Sequence, residues 1–305
     1  TVTDTAGVTP PPGGGATFTP GNWTWELPSG FAVPKVPEGN PMSTAKVDLG
    51  RFLFYDKRLS GNGTQSCASC HHQDKDKAFT DGKAVAIGST GDMHPRAAQP
   101  LMNVAYNATL TWVNPSLVTL EKQMEVPLFG DNPVEMGVND SNKADVLKRI
   151  TTDPLYPAKF AAAFPGLGEP VGWGQVIQAI SAFQRSLISG NSKYDQYTQG
   201  KATLTPAESR GLALFMGEKA ECFHCHGSFN FNDHVVHAAS RVVETPFHNT
   251  GLYNIGGTGN FPEGNQGLFE FTAKATDRGL FRAASLRNIE LTAPYMHDGS
   301  IATLE

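Results

Sequence analysis

Apolar residues recur at helical spacing in three stretches of this chain, and no convincing run of strand-like alternation appears. The first stretch follows Pro41, where Ser43 is placed to cap a helix and Val47, Leu49, Phe52, Leu53 and Tyr55 build an apolar stripe. The second is "GWGQVIQAISAFQRSLIS", in which Val176, Ile177, Ile180, Phe183 and Leu187 recur along one side. A third starts at Thr205-Pro206, an N-cap followed by a proline in the first helical position, and runs through Leu212, Leu214 and Phe215. Before them, "TPPPGGGATFTPGN" has almost no periodicity and reads as part of an extended N-terminal arm spanning 1–40, pinned to the body by Trp23 and Trp25. After them, "HNTGLYNIGGTGNFPEGNQG" reads as a long ordered loop, a feature that in compact domains tends to be functional. The pattern predicts a mostly α protein with long loops and little strand.

Composition narrows this. With 305 residues, 39% hydrophobic and 17% charged, the chain is long enough for one large or two ordinary domains with a real core. The net charge of -5 and the lack of any Lys/Arg run exclude nucleic acid as a partner. There is no apolar stretch long enough to span a membrane, and the chain opens with no signal-peptide pattern, so it reads as a mature or trimmed protein.

All four cysteines fall in two short motifs, "CASCH" (Cys67, Cys70, His71) and "CFHCH" (Cys222, Cys225, His226). Two disulfides or a four-cysteine zinc site would leave both trailing histidines unexplained, whereas C-x-x-C-H is the attachment pattern of c-type haem. Each thiol pair would bond the porphyrin edge, and His71 or His226 would supply the proximal imidazole to iron. A helix precedes each motif, which predicts two tandem class I cytochrome c-like domains with one covalent haem each, at 41–170 and 171–305, the second lacking a C-terminal tail.

The stretches "KVDLGRFLFYDKRLSGNGTQSCASCHH", "SLVTLEKQMEVPLFGDNPVEMG", "AISAFQRSLISGNSKYDQY" and "SLRNIELTAPYMHDGSIATLE" together resemble the bacterial di-haem cytochrome c peroxidase/MauG superfamily, in the family's order and over most of 41–305. The resemblance implies that the N-terminal haem, on His71, meets hydrogen peroxide. It maps the distal catalytic residues onto Gln123, Pro127 and Glu135, with two extra residues between Gln123 and Glu135, and places Trp112 between the haems as an electron relay. A carboxylate within reach of bound peroxide can carry the proton that O–O cleavage requires, and burial would raise its pKa towards a shuttling value. The second haem, on His226, would store and transfer electrons. By the same resemblance Thr292 and Pro294 are ligands of one Ca²⁺ ion between the domains, although the family's asparagine contributor falls at Ala97. His297 is assigned to the surroundings of the haems.

Peroxidases of this family close the first haem with a histidine a short way after the proximal one. Here that neighbourhood reads "GKAVAIGSTG", and the next histidine, His94, lies beyond the ligand position. The first haem is therefore expected to be open, as in MauG, and the chain looks like the branch associated with methanobactin and copper acquisition. The implied function is a peroxide-dependent oxidase that forms a high-valent, bis-ferryl-like state and converts a tryptophan of a copper-related periplasmic partner protein to kynurenine. The alternatives are a cytochrome c peroxidase drawing electrons from a small cytochrome, and a non-catalytic electron-transfer cytochrome. Ala220 stands where MauG has its surface tryptophan, so Tyr253 or Phe269 of the long loop are candidate stepping stones. The second haem's sixth ligand is expected about six residues after Glu305, as a tyrosine. Covalent haem attachment implies export, to the periplasm or the cell surface.

Overall fold

The computed structural model describes residues 23–74, 77–167 and 170–305; the expectation of an arm over 1–22 lies outside them. The three expected helices form. Helix α1 (Thr44–Tyr55) begins where the Ser43 hydroxyl accepts from Lys46 N at 3.1 Å. Four more precede the second motif without having been foreseen or fully bounded: α2 (Leu120–Phe129), α3 (Lys143–Thr151), α4 (Tyr156–Ala163) and, after α5 (Trp173–Arg185), the short α6 (Lys193–Thr198). Their apolar positions are few, and α2 carries Pro127 inside it, so periodicity alone is a weak signal there. Helix α7 (Pro206–Phe215) starts at a reciprocal cap between Thr205 and Glu208. The single turns α8 (Phe223–His226) and α9 (Phe269–Thr272) follow.

One hydrophobic cluster holds the first half together. Leu49, Leu53 and Phe54 of α1 meet Val176, Ala179 and Ile180 of α5, with Met124 and Leu128 of α2, Val146 and Ile150 of α3, and Tyr156 and Phe160 of α4 joining them. The α1–α5 crossing is close because Gly50 faces it: a Cβ there would lie 1.9 Å from Ala179 O and 2.9 Å from Phe183 Cβ. The apolar stripe of helix α5, with Leu187 behind it, is buried against α1, across the expected boundary at 170/171.

The second half is built differently. Among the described residues its β structure is confined to isolated bridges, such as Asn107 with Val235 and His248 with Phe281. Buried arginines anchor this half and its contact with the first, beside the buried Val236 and Phe261. Arg287 donates to both Asp195 carboxylate oxygens at 2.9 Å and to Phe229 O at 3.0 Å. Arg96 reaches Asn265 Oδ1 at 2.9 Å and Glu270. Removing one partner of such a buried pair costs about 3–5 kcal/mol, because the other charge is left in a dry site. The segment 23–40 touches both halves: the Phe31 ring is 4.7 Å from that of Phe229, the Tyr106 hydroxyl donates to Ala32 O at 2.7 Å, and Asn40 Nδ2 donates to Glu121 Oε1 at 2.7 Å. Trp23 and Trp25 pack edge to face on each other, 5.4 Å apart.

Gly50→Ala should test the α1–α5 contact. Alanine gains about 1 kcal/mol in helix propensity, but overpacking against backbone costs about 1–3 kcal/mol or more. The thermal midpoint should fall; a midpoint at or above that of the parent protein would contradict the packing described.

Candidate active site

A cavity of about 600 Å³ opens beside the first cysteine motif, and Cys67, Cys70, His71, Trp112, Gln123, Pro127 and Glu135 all line it. Residues far apart in sequence are thus brought to one space. Gln123 and Pro127 come from α2. The strand of chain after α2 doubles back, so that Met136 N donates to Pro127 O at 2.9 Å and Val138 N to Leu128 O at 3.1 Å. Ser89 N then donates to Glu135 O at 2.7 Å. Gly88 permits this approach, since a Cβ there would lie 1.7 Å from Val134 O. The two residues inserted before Glu135 are absorbed in this turn, where Asp131 bridges Val134.

Burial pushes the Glu135 carboxyl up to about 7. His94, which sequence reasoning set aside, also lines the cavity, with Nε2 at 3.8 Å from Glu135 Oε1. Its Nδ1 accepts from Arg96 N at 3.2 Å, so the neutral ring carries its proton on Nε2, facing Glu135. Burial, and then the Arg96 charge, hold His94 below the usual histidine range. The separation suits a bridging water. Ile87 also lines the cavity.

The histidines of the two motifs are held by the same device. His71 Nδ1 is 3.0 Å from Phe79 O, and His226 Nδ1 is 2.9 Å from Phe231 O. Both phenylalanines sit in the left-handed region, at φ 63° and 52°, a conformation that costs a non-glycine residue about 1–3 kcal/mol. The carbonyl takes the Nδ1 proton and leaves Nε2 as the metal-facing atom. Nothing in the spacing of the sequence marks Phe79 or Phe231 for this role.

These residues fit c-type haem. Burial pushes the Cys67 thiol up to about 12 and the Cys70 thiol up to about 11. Among the described residues the metal-capable groupings are Cys225 with Asp233 and His248, and Glu218 with Glu221 and His224; neither unites two cysteines. At the second motif α7 has no buried residue, and Leu214 is 46% exposed, so its apolar side is available to a flat apolar group beside His226.

Calcium fits less well. Ala97 has no side-chain oxygen, its carbonyl accepts from Trp112 Nε1 at 3.0 Å, and its N–H donates to His297 O at 2.8 Å. Thr292 Oγ1 donates to Ile289 O at 3.2 Å. Neither metal-capable grouping among the described residues includes Thr292 or Pro294, so no carboxylate is gathered beside them. His297 is buried at the seam behind Trp112, its ring 6.5 Å away, and its Nε2 lacks a hydrogen-bond partner.

The seam also contains Arg282, missed from sequence. It donates to Thr111 O at 2.8 Å, contacts His234 Nε2 at 2.8 Å and reaches Gln99, while its backbone N–H donates to Trp112 O at 2.9 Å. Burial pulls the guanidinium down to about 10.

Comparisons with known proteins agree with this geometry. A family model described as di-haem cytochrome c peroxidase matches residues 44–203. Methylamine utilization protein MauG of Methylorubrum extorquens is 33% identical over 270 residues, covering 88% of this chain and 69% of that protein. Cytochrome c551 peroxidase of Pseudomonas aeruginosa is 31% identical over 88% of this chain and 71% of its own. Among solved structures, a MauG-like protein associated with microbial copper homeostasis superposes with a TM-score of 0.91 at 57% identity, covering 93% of this chain and 80% of that one. The di-haem peroxidase BthA of Burkholderia thailandensis superposes with a TM-score of 0.64 at 25% identity, over 92% and 78%.

A carboxyl with its midpoint near 7 should be visible directly. Infrared difference spectra taken across pH 5 to 9 should show a carboxylic acid band disappearing around pH 7 as the pH rises. Glu135→Gln should remove that band; its persistence would assign it elsewhere.

Proposed function

The chain belongs to the di-haem cytochrome c peroxidase family, which includes MauG, and from that premise we propose that it is a MauG-type oxidase acting on a partner protein. As a member it is a haem-dependent oxidoreductase with two haems that acts with peroxide. The finer reading is that it draws its oxidising power from hydrogen peroxide and converts a tryptophan of a copper-related protein to kynurenine. The copper-related partner is suggested by the MauG-like structure at 57% identity.

In this reading the units held by His71 and His226 have separate tasks. Bound c-type haem supplies the iron on which peroxide is taken up and the store for oxidising equivalents. The chain supplies the rest. Cys67 with Cys70, and Cys222 with Cys225, tether the two haems. His71 and His226 present Nε2 to iron, aligned by the Phe79 and Phe231 carbonyls. Glu135 accepts a proton from one peroxide oxygen and returns it to the other, a task suited to a carboxyl near 7. His94 is placed to replenish that proton through water. The Gln123 amide orients the oxidant, and Pro127 closes the wall without offering an N–H. Trp112, fixed at both ends of its residue by Ala97 and Arg282, passes electrons between the two units.

The single observation that carries this reading is the convergence of Gln123, Pro127, Glu135 and Trp112 on one space beside His71. His94, beside it, is turned towards Glu135 by its bond to Arg96 N. The competing reading, a cytochrome c peroxidase, is favoured by the relative in Pseudomonas aeruginosa. Calcium enters neither account. Among the described residues no helix is long and apolar enough to cross a membrane. Because c-type haem is attached outside the bacterial cytoplasm, the proposal places the protein in the periplasm or at the cell surface.

Stopped-flow mixing of the fully oxidised holoprotein with peroxide separates these readings. A MauG-type oxidase should respond without prior reduction, whereas a peroxidase should respond only after one-electron reduction, and a plain electron-transfer cytochrome in neither state. Glu135→Gln should slow the response about 10²–10⁴-fold, the usual worth of a positioned acid–base group. In the parent protein the rate should rise with pH through about 7, because the ionised carboxylate is the active base and its midpoint has been raised to that value. A flat profile would remove Glu135 from the proton transfer.

A further inference from the structure

Trp112 is one end of a connected series of rings. His297 lies 6.5 Å from it, centroid to centroid, and stacks on Phe281 at 3.7 Å with planes 12° apart. Phe261 is 6.4 Å from His297 and 5.9 Å from Phe281, and Tyr253 is 5.5 Å from Phe261. Every ring-to-ring step is therefore no longer than the first. The rings have unequal chemistry. Phenyl groups and a neutral imidazole are hard to oxidise and act as bridging medium, while the indole of Trp112 and the phenol of Tyr253 at the two ends give up an electron readily. Burial holds His297 neutral, pulled down to about 4, which keeps a positive charge out of the path.

The Tyr253 end has what a phenol needs in order to lose an electron. A phenol radical cation is a very strong acid, so oxidation is easy only where the proton has an acceptor. The Tyr253 hydroxyl donates to Asp298 Oδ2 at 2.5 Å. Tyr253 belongs to the glycine-rich loop at 251–260, most of which is exposed, and Ile255 beside it is 49% exposed. Phe269, the other ring suggested from sequence, instead lies under the Arg278 guanidinium at 4.4 Å and takes no part in the series.

We propose that Tyr253, with Asp298 as its proton acceptor, is the outlet through which oxidising equivalents leave Trp112 for a side chain of the partner protein. This rests on the peroxide-driven reading above, which supplies the oxidant. Trp112, short of one electron, is reduced by one electron from Tyr253. The phenolic O–H bond breaks, its proton passes to Asp298 Oδ2, and a neutral tyrosyl radical remains. An indole of the partner then gives one electron to that radical, the proton returns from Asp298 to the phenolate, and the partner is left oxidised by one electron. Two passages remove two electrons and leave Tyr253 and Asp298 unchanged.

The test uses the two-haem protein carrying ring-deuterated tyrosine, mixed with hydrogen peroxide in the absence of partner and freeze-quenched for electron paramagnetic resonance. Haem absorbance is followed in the same samples. The expected result is a radical signal narrowed by the deuterium label, lost in Tyr253→Phe, and slower to form in Asp298→Asn, which keeps the phenol but removes the base. An unlabelled-type signal, a signal that persists in Tyr253→Phe, or no tyrosyl signal while haem absorbance responds would overturn the outlet and leave the peroxide reading standing. No haem response to peroxide would overturn the peroxide reading, and the outlet with it.

Discussion

Arg282 sets the relation between the two halves of this protein. It is 4% exposed and its guanidinium sits among Thr111 O, Gln99 and His234, with its own N–H on Trp112 O. A guanidinium keeps its charge even where burial pulls it down to about 10, and its acceptors, Thr111 O and the Gln99 side-chain oxygen, come from the other side of the seam. The helical half is packed by hydrocarbon and would tolerate sliding; the charged seam would not. Trp112 takes its position from that rigidity, tied on one side by its carbonyl to Arg282 and on the other by its indole N–H to Ala97.

A similar economy appears at both histidines. Left-handed phenylalanines are costly, and two of them occur where a carbonyl has to meet an imidazole Nδ1. The surroundings that hold each one differ. Phe79 is buried in the core of the helical half, while Phe231 is held between Tyr194, Phe215 and the Arg287 guanidinium. Two unrelated environments impose one geometry, which argues that the orientation of the imidazole is what the strain secures. Both histidines are half-buried, the second beside a helix with no buried side chain.

Much was legible in the sequence because it is local. The two C-x-x-C-H motifs are complete within five residues, the caps at Ser43 and Thr205 within four, and the long apolar stripes of α1 and α5 within single helices. The short helices α2 to α4 and α6 were less legible, since each buries only a few residues and leans on neighbours for stability. The stripe of α5 likewise shows that a face is buried but carries no mark of α1, the partner it is buried against. His94 shows the same limit, because its distance along the chain from His71 argued against ligation and said nothing of its neighbour Glu135.

The sequence by itself determined the haem chemistry, the helical class and, through resemblance, the set of residues to examine around His71. Those properties follow from covalent spacing and from periodicity along one segment. Only the tertiary structure decided that burial raises the Glu135 carboxyl to about 7, that His94 faces it, that buried arginines join the two halves, and that Trp112 connects through His297 and Phe261 to Tyr253. Each of these depends on desolvation or on contact between residues far apart in the chain, and neither quantity exists until the chain has folded.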